Sequence, residues 1–304
     1  MKVSGFSIIR DGVRFGYPFV ESIRSVLPLV DEFVLAVGKG SDETLQRARA
    51  IDSSKIRIIE TEWDENLRRG GQVMAQQTNL ALDECDGDWC FYIQADEVIH
   101  ESDHAQLRAA MERYLPDRRV EGLSFRYRHF YGSYRLINPL PYRRQIRIIR
   151  GGIGMRSVGD ACGFAIEGRK PRSKRTGAQM YHYGWVREPA VMGQKLAKFL
   201  GFYWDTLRGR EAGQAPPNVS SAETYQYDTN VCVPFRGTHP AAMRDVIASQ
   251  DWPEPPFRYV PWWRNTHWWN GFFQKNFATL YRRLPRGKNS TSGKEHRAKT
   301  GQAA

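Results

Sequence analysis

The stretch Gly87–Glu97 reads GDWCFYIQADE: a turn, an apolar run from Trp89 to Ile93, and then two adjacent carboxylates. A short apolar run bounded by turn residues is typical of a strand buried on both faces, as in a parallel sheet. Polar side chains that follow such a strand lie at its carboxyl end, where open α/β sheets bind ligands. Asp96 and Glu97 are therefore the first candidates for a functional site.

Strand and helix patterns alternate on the amino-terminal side of this stretch. The expected strands are residues 6–9, 32–37 and 55–60, and the expected helices are residues 18–27, 43–50 and 72–84. Strands separated by helices of this length predict an α/β fold with a doubly wound, mostly parallel sheet and helices on both faces. Ligand contacts are then expected just after each strand.

The pattern changes after about residue 120. Residues 123–127 and 145–150 alternate apolar and polar side chains, as half-buried strands do, and an aromatic, Arg-rich loop is expected between them at 129–144. A helix is expected near 190–207. Five of the nine tryptophans lie between Trp252 and Trp269. We expect a main domain at 1–210 with halves 1–120 and 121–210, a Trp-rich helical extension at 211–285, and a disordered basic tail at 286–304.

The net charge of +12 is concentrated in one segment. Between Arg126 and Arg175 there are 13 Lys or Arg and 2 Asp or Glu, and the tail from Arg286 adds a further +4. Such segments attract nucleic acid, anionic lipid or phosphorylated small molecules, although a basic face can also simply be solvated.

Signals for export and membrane insertion do not appear in the sequence. No apolar run reaches the roughly 18 residues of a membrane-spanning helix, and the amino terminus lacks a signal-peptide pattern. The four cysteines form no CxxC pair, which favours a reducing compartment. The expected location is the cytoplasm, with peripheral contact on the inner face of the membrane as an alternative.

Four segments together resemble family 2 glycosyltransferases, which have the nucleotide-sugar-binding fold called GT-A. Gly87–Glu97 resembles the segment of that family in which a strand runs into a D-x-D motif. The other three segments agree with the family in order and spacing: VGKGSDET at 37–44, GGQVMAQQTN at 70–79 and YRRQIRII at 142–149. The resemblance covers roughly residues 6–187.

The resemblance implies an inverting hexosyltransferase in envelope polysaccharide or glycolipid synthesis. It implies a nucleoside-diphosphate sugar donor, a saccharide or lipid-linked acceptor, and Mn²⁺ or Mg²⁺ as cofactor, since these hard cations prefer oxygen ligands. The expected metal ligands are Asp96, Glu97 and His182, and the expected catalytic base is Asp160. The expected donor-binding residues are Arg10, Gly38, Lys39, Asp42, Asn79, Gln94, Asp96 and Arg147.

The sequence departs from the family pattern at two places. The first Asp of D-x-D is Gln94 here, so that metal binding would depend on Asp96, Glu97 and a later ligand. The paired Asp of the second-strand loop is replaced by Gly38 and Lys39, and a lysine there could meet a phosphate as a point charge.

Structural explanations compete for the same residues. Asp96 could cap a helix starting near Val98; His182 could be buried among aromatic residues; and Asp160 could form an ion pair with Arg147 or Arg156. By strand alternation, Arg143 and Arg147 share one face and Arg144 and Arg150 share the other, so we expect one face to meet an anion and the other to be solvated.

Two other classes of protein also fit parts of the sequence. A basic nucleic-acid-binding module would use the Trp-rich stretch for base stacking, but no recognised nucleic-acid motif is present, and we expect no nucleic-acid partner. A metal-dependent nucleotidyltransferase would need a Gly-rich phosphate loop that the sequence lacks. The Trp-rich stretch itself could form a core or rest on a membrane interface.

Overall fold

The computed structural model describes residues 1–67, 69–203 and 225–266, and the two halves of this chain differ in their strand pairing. The strands are β1 Val3–Ile9, β2 Glu32–Gly38, β3 Ile56–Thr61, β4 Trp89–Tyr92, β5 Glu97–Ile99, β6 Gly122–Tyr131, β7 Ser133–Ile137, β8 Arg144–Arg150, β9 Arg156–Val158, β10 Gly163–Ala165, β11 Ser173–Trp185 and β12 Val233–Pro234. The α-helices are α1 Phe19–Val26, α2 Thr44–Arg49, α3 Gln72–Asp83, α4 His104–Tyr114, α5 Pro189–Gly201 and α6 Arg244–Ala248.

The first four strands form the parallel part of a ten-stranded sheet. Strand β1 lies between β2 and β4, and β3 lies beyond β2, all in parallel register. Side chains alternate between two cores, because successive residues of a strand point to opposite faces. In β4, for example, Phe91 joins one core and Tyr92 joins the other.

Helices cover both faces of this sheet. Helices α1 and α4 pack Ile23 and Met111 against one face, and α3 packs Ala81 and Leu82 against the other. The predicted α/β class with helices on both faces is therefore confirmed. The loops that leave β1, β2 and β4 at their carboxyl ends all emerge at one edge of the sheet.

Antiparallel strands extend the sheet beyond β4. Strand β8 pairs with β4 and β6, and the long strand β11 runs parallel to β6 and antiparallel to β5. The loop expected at 129–144 is wrong over much of its length, since β6 continues to Tyr131 and turns at Gly132 into β7. Alternating burial of Phe130, Tyr134 and Leu136 stabilises this hairpin. The helix considered near Val98 is also wrong, because that residue lies in β5.

Helix α5 ends at Gly201, so that the expected helix at 190–207 is confirmed over its first part; residues 204–207 lie outside the described residues. The described part of the Trp-rich extension, 225–266, contains β12, α6 and short 3₁₀ turns, and packs Phe235 and Met243 against Phe130 and Tyr183. Within the described ranges, no helix combines the length and apolar character needed to cross a membrane. The expected tail at 286–304 lies outside the described residues.

Candidate active site

A cavity of about 320 Å³ opens where β1 and β4 end. Residues 8–11 form one wall, the loop after β4 forms the floor, and β11 contributes His182 and Gly184. Helix α5 covers the opposite side with its apolar face, which includes Met192, Leu196 and Phe199. The volume of the cavity is within the range of small-molecule sites.

Asp96 brings a negative charge into this cavity. Its side chain is 11% exposed, and its two oxygens lie 3.7 Å from His182 Nε2 and 3.6 Å from Lys195 Nζ. Burial raises the pKa of Asp96, but the charges of His182, Lys195 and Arg187 lower it by a larger amount, so the net pKa lies below its ordinary value. The carboxylate is therefore ionised at neutral pH. Both contacts are longer than a hydrogen bond.

The hydrogen bonds of two histidines determine which nitrogen of His182 carries the proton. His129 Nε2 lies 2.8 Å from the carbonyl oxygen of Tyr142, which can only accept, and His129 Nδ1 lies 3.2 Å from His182 Nδ1. In two neutral rings, His129 Nδ1 is then the acceptor and His182 Nδ1 the donor. Burial lowers the pKa of His182, although the Asp96 carboxylate opposes it. The Nε2 lone pair of His182 therefore faces Asp96.

Two facing acceptors of this kind could hold a divalent cation. A lone pair and a carboxylate oxygen 3.7 Å apart repel each other, and an ion about 2.1 Å from each would relieve that repulsion. The Nδ1–H of His182 is held by His129, and a hydrogen bond at that nitrogen fixes the ring and the tautomer of a metal-binding imidazole. Among the described residues, no group of three or more His, Cys, Asp or Glu could hold a metal. The remaining ligands would therefore come from phosphate and water, as Mg²⁺ sites commonly have.

Glu97 and Arg147 do not reach the cavity. Both side chains are fully buried, and Arg147 donates from Nε and Nη2 to the two oxygens of Glu97, each at 2.8 Å. The Tyr127 hydroxyl donates to Glu97 at 2.6 Å. A carboxylate saturated in this way is not open to a metal, so the expected roles of Glu97 as a metal ligand and of Arg147 as a donor contact do not agree with the structure.

Arg147 instead connects two loops of the site. Its Nη1 donates to the carbonyl oxygen of Cys162 at 3.0 Å, and its Nη2 donates to Gln94 Oε1 at 3.2 Å. The expectation that one arginine face of this strand is solvated is also wrong. Arg150, on the other face, is buried and donates to four backbone carbonyls around the end of α4.

Asp160 also lines the cavity. Its Oδ2 accepts a hydrogen bond of 2.7 Å from the Tyr203 hydroxyl, and its Oδ1 accepts one of 3.2 Å from the Cys162 backbone. The next residue, Ala161, has a φ of +60°. Gly71 approaches so closely that a Cβ there would lie 2.8 Å from Asp160 Cβ. This tight loop holds the carboxylate against the cavity.

The other donor-binding candidates divide into two groups. Arg10 and Gln94 line the cavity, and Arg10 also donates to Glu65 at 2.6 Å. The remaining candidates do not line it. Gly38 packs against Trp63, Lys39 is 80% exposed, Asp42 binds Thr44 and the Arg14 backbone, and Asn79 exchanges two hydrogen bonds with the Ser157 backbone.

Sequence reasoning missed Lys195 and Arg187. Lys195 lines the cavity beside Asp96, and burial lowers its pKa to about 7, with the Arg187 charge acting in the same direction. Arg187 is buried and donates to the backbone carbonyls of Phe15, Tyr183 and Gly184. One signal was available for Lys195, because it lies at a helical spacing within the apolar face of α5.

No family model matches the chain, and no curated protein matches it. The chain is similar to solved structures of S. aureus TarS residues 1–349. With the complex of TarS and UDP-GlcNAc it shares 18% identity, over 43% of this chain and 35% of that chain, and the TM-score is 0.31. The TarS complex with UDP gives 14% identity, 71% and 67% coverage, and a TM-score of 0.38. In the first match the chain therefore spans about a third of the solved chain.

A third similar structure is glucosyl-3-phosphoglycerate synthase from Mycobacterium tuberculosis, in complex with Mn²⁺, UDP and phosphoglyceric acid. The identity is 15%, over 73% of this chain and 85% of that chain, and the TM-score is 0.41. Since all three TM-scores lie below 0.5, the function of this chain has to be inferred from its own site.

Proposed function

We propose that this protein is a glycosyltransferase that moves a sugar from a nucleoside-diphosphate sugar to an acceptor hydroxyl. One observation carries the proposal: Asp96 and His182 present two facing acceptors in the same cavity that Asp160 borders. Asp96 and His182 suit a cation that binds a diphosphate, and the Asp160 carboxylate suits a general base. The resemblance in the strand that precedes Asp96 supports the same chemistry.

At the donor end, Asp96 and His182 would hold Mn²⁺ or Mg²⁺. Such an ion supplies positive charge to the diphosphate as it leaves. The neutral His182 keeps its Nε2 lone pair directed at Asp96 through the His129 hydrogen bond, so that the ligands are ordered before substrate arrives. Gln94 and Arg10 line the same cavity and are proposed donor contacts.

At the acceptor end, Asp160 would take the proton of the attacking hydroxyl. The acceptor oxygen forms a bond to the anomeric carbon, the bond from that carbon to the diphosphate oxygen breaks, and the hydroxyl proton moves to Asp160. A single displacement of this kind inverts the anomeric centre. The Tyr203 hydroxyl now donates to Asp160 Oδ2, and an acceptor hydroxyl would replace it there.

The basic segment gives less support to a nucleic-acid-binding module. Many of its cations have partners within the protein and are not available to track a phosphate backbone. At least six of its 13 Lys and Arg make such contacts: Arg135 with Glu254, Arg147 with Glu97, Arg150 with backbone carbonyls, Arg156 with Asp83, and Arg169 and Arg172 with Glu121.

The acceptor in this proposal is a saccharide or a lipid-linked saccharide of the cell envelope. Exposed aromatic side chains in the described extension, Trp263 at 61% and Tyr259 at 50%, would suit contact with a membrane interface on the cytoplasmic side. Sedimentation with anionic vesicles measures this contact directly, and a protein that stays in the supernatant would exclude it.

A thermal-shift screen tests the donor class. UDP-, GDP- and CMP-sugars are each added with Mn²⁺, with Mg²⁺ and with EDTA, because a ligand that binds only the folded state raises its melting temperature. We expect one nucleotide to stabilise the protein, more strongly with metal. The Asp96→Ala variant, which retains Asp160, should lose the metal-dependent part of that shift.

A transfer assay follows with the nucleotide found. Release of the free nucleoside diphosphate should require both an acceptor and Asp160. A protein that no nucleotide sugar stabilises, in any metal condition, would contradict the proposal. Filter binding of nucleic acid that weakens steeply with salt would then favour the binding module.

A further inference from the structure

Lys195 places a buried amino group, which is a cation when protonated, beside the proposed metal-binding carboxylate. Its side chain is 13% exposed, its Nζ donates to the Gly184 carbonyl at 2.7 Å, and it lies 3.6 Å from Asp96 Oδ2. The same nitrogen lies 4.7 Å from the centroid of the Tyr17 ring. Burying a cation costs free energy unless a partner compensates, so this position requires an explanation.

Lys195 differs from Arg187, the other cation near Asp96, in its freedom to change partner. Arg187 uses its rigid guanidinium on the carbonyls of Phe15, Tyr183 and Gly184, which bind it to the backbone. The ammonium of Lys195 has three rotatable donors on a flexible stem, and only one of them is needed for Gly184. Lys195 can therefore turn toward a new anion in the cavity while Arg187 stays in place.

Asp96 has the corresponding choice of partners. Oδ2 is near Lys195, and Oδ1 is near the Nε2 lone pair of His182. A cation bound by Asp96 and His182 would leave Lys195 beside two positive groups, which is unfavourable unless an anion enters with the metal. The charges of Asp96, one divalent cation, Lys195 and a diphosphate with two negative charges add up to zero; Arg187, which is held on backbone carbonyls, is not part of this sum.

We propose that Lys195 neutralises Asp96 in the empty enzyme and passes to the donor diphosphate when a divalent cation takes Asp96. The inference rests on the proposed function, and it names the residue that couples metal binding to diphosphate binding. Lys195 is then a substrate-binding residue that also weakens the binding of metal alone. The enzyme takes up metal and nucleotide together.

The test compares Lys195→Met and Lys195→Arg with the wild-type protein by calorimetry. The titrants are Mn²⁺ alone, UDP or GDP in EDTA, and the same nucleotide with Mn²⁺. Lys174→Met serves as a matched control, since Lys174 is an exposed lysine on β11. Circular dichroism melting of each variant establishes that it is folded.

Lys195→Met should change the two affinities in opposite directions. Mn²⁺ alone should bind several-fold more tightly, because Asp96 has lost its competing cation. At saturating Mn²⁺ the nucleotide should bind about tenfold or more weakly, which is the usual loss for a hydrogen bond to a charged group. In EDTA the loss should be smaller, because there Lys195 stays on Asp96. Lys195→Arg should restore nucleotide binding with Mn²⁺, and Lys174→Met should match the wild type.

Any other result for Lys195→Met overturns the inference. If Lys195 only stabilises α5 through Gly184, Lys195→Met should weaken both Mn²⁺ and nucleotide and lower the melting temperature. If both affinities stay unchanged, Lys195 does not act on the site. A wild-type protein that binds neither UDP nor GDP, with or without Mn²⁺, would overturn the proposed function itself, which separates that failure from a failure at Lys195 alone.

Discussion

Two loops leave the same edge of the sheet, one after β2 and one after β4, yet their carboxylates have different surroundings. Asp42, after β2, accepts hydrogen bonds of 2.6 Å from the Thr44 hydroxyl and 2.7 Å from the Arg14 backbone. Asp96, after β4, lies in the cavity with Lys195 and His182 at 3.6 and 3.7 Å. A strand-end position alone therefore does not identify a site. The partners of Asp42 are local and complete, whereas those of Asp96 can be exchanged.

The support beneath the β4 loop should show the largest effect. Arg147→Met leaves Glu97 as a buried charge without its cation, which typically costs about 3–5 kcal/mol of unfolding free energy. Urea denaturation followed by circular dichroism measures this loss. Arg144→Met, at an exposed arginine of the same strand, should stay within about 0.5 kcal/mol of wild type. A loss below about 1 kcal/mol for Arg147→Met would mean that the pair does not hold the loop.

The second effect is a difference in catalytic rate between variants of the β4 loop and of the β2 loop. Asp96→Ala should lower turnover by on the order of 10²–10³, because it removes the proposed charge stabilisation at the leaving group. Lys39→Ala removes an 80% exposed side chain that pairs with exposed Glu62, and should leave turnover and KM within about twofold of wild type. Steady-state kinetics with the donor found by screening measures both. Turnover of Asp96→Ala within tenfold of wild type would refute the metal assignment.

A tenfold rise in KM for Lys39→Ala would mean that the β2 loop also takes part in donor binding. It would bring the β2 loop to the donor phosphates, as the resemblance implied. The melting temperatures of the two variants serve as the control for folding.

The smallest effect concerns Asp42 and pH. Burial raises the pKa of Asp42, but hydrogen bonds from the Thr44 hydroxyl and from backbone amides outweigh it, so the net pKa is lowered. A carboxyl with a lowered folded pKa stabilises the protein above its unfolded pKa of about 3.9, and this contribution is lost as the pH falls through the folded value. Because Asp42 is partly exposed and solvent screens its charge, Asp42→Asn should cost at most about 1 kcal/mol at pH 7.

The cost of Asp42→Asn should shrink as the pH is lowered from 5 toward 3. Parallel urea titrations of wild type and variant at each pH measure the difference. A difference that stays constant over this range would mean that the charge of Asp42 makes no contribution, and that the lost oxygen alone explains the variant.

Much of the first half of the fold could be predicted from the sequence, because its strands and helices have distinct periods. The hairpin of β6 and β7 could not, since its many arginines and aromatic residues resemble a loop until the face covered by Phe235 and Tyr183 is known. Strand alternation correctly separates the faces of Arg147 and Arg150. It cannot say that both faces are buried.

The site could be predicted in part for a related reason. Asp96 follows an apolar strand and is visible in the sequence, but Glu97 is equally so, and only the turn after β4 directs one into the cavity and the other into the interior. Lys195 lies about 100 residues further along the chain. Its place beside Asp96 depends on how α5 packs across the sheet edge, which local periodicity does not contain.

The two bonds that Arg147 makes beyond Glu97 have a mechanical consequence. One guanidinium binds Gln94, two residues before Asp96, and also the carbonyl of Cys162, two residues after Asp160. A rigid planar group thereby acts as a spacer between the loop of Asp96, the proposed metal ligand, and the loop of Asp160, the proposed base. Gln94 Nε2 also donates to the Ala161 carbonyl at 3.4 Å, so that the two loops cannot separate without breaking both connections.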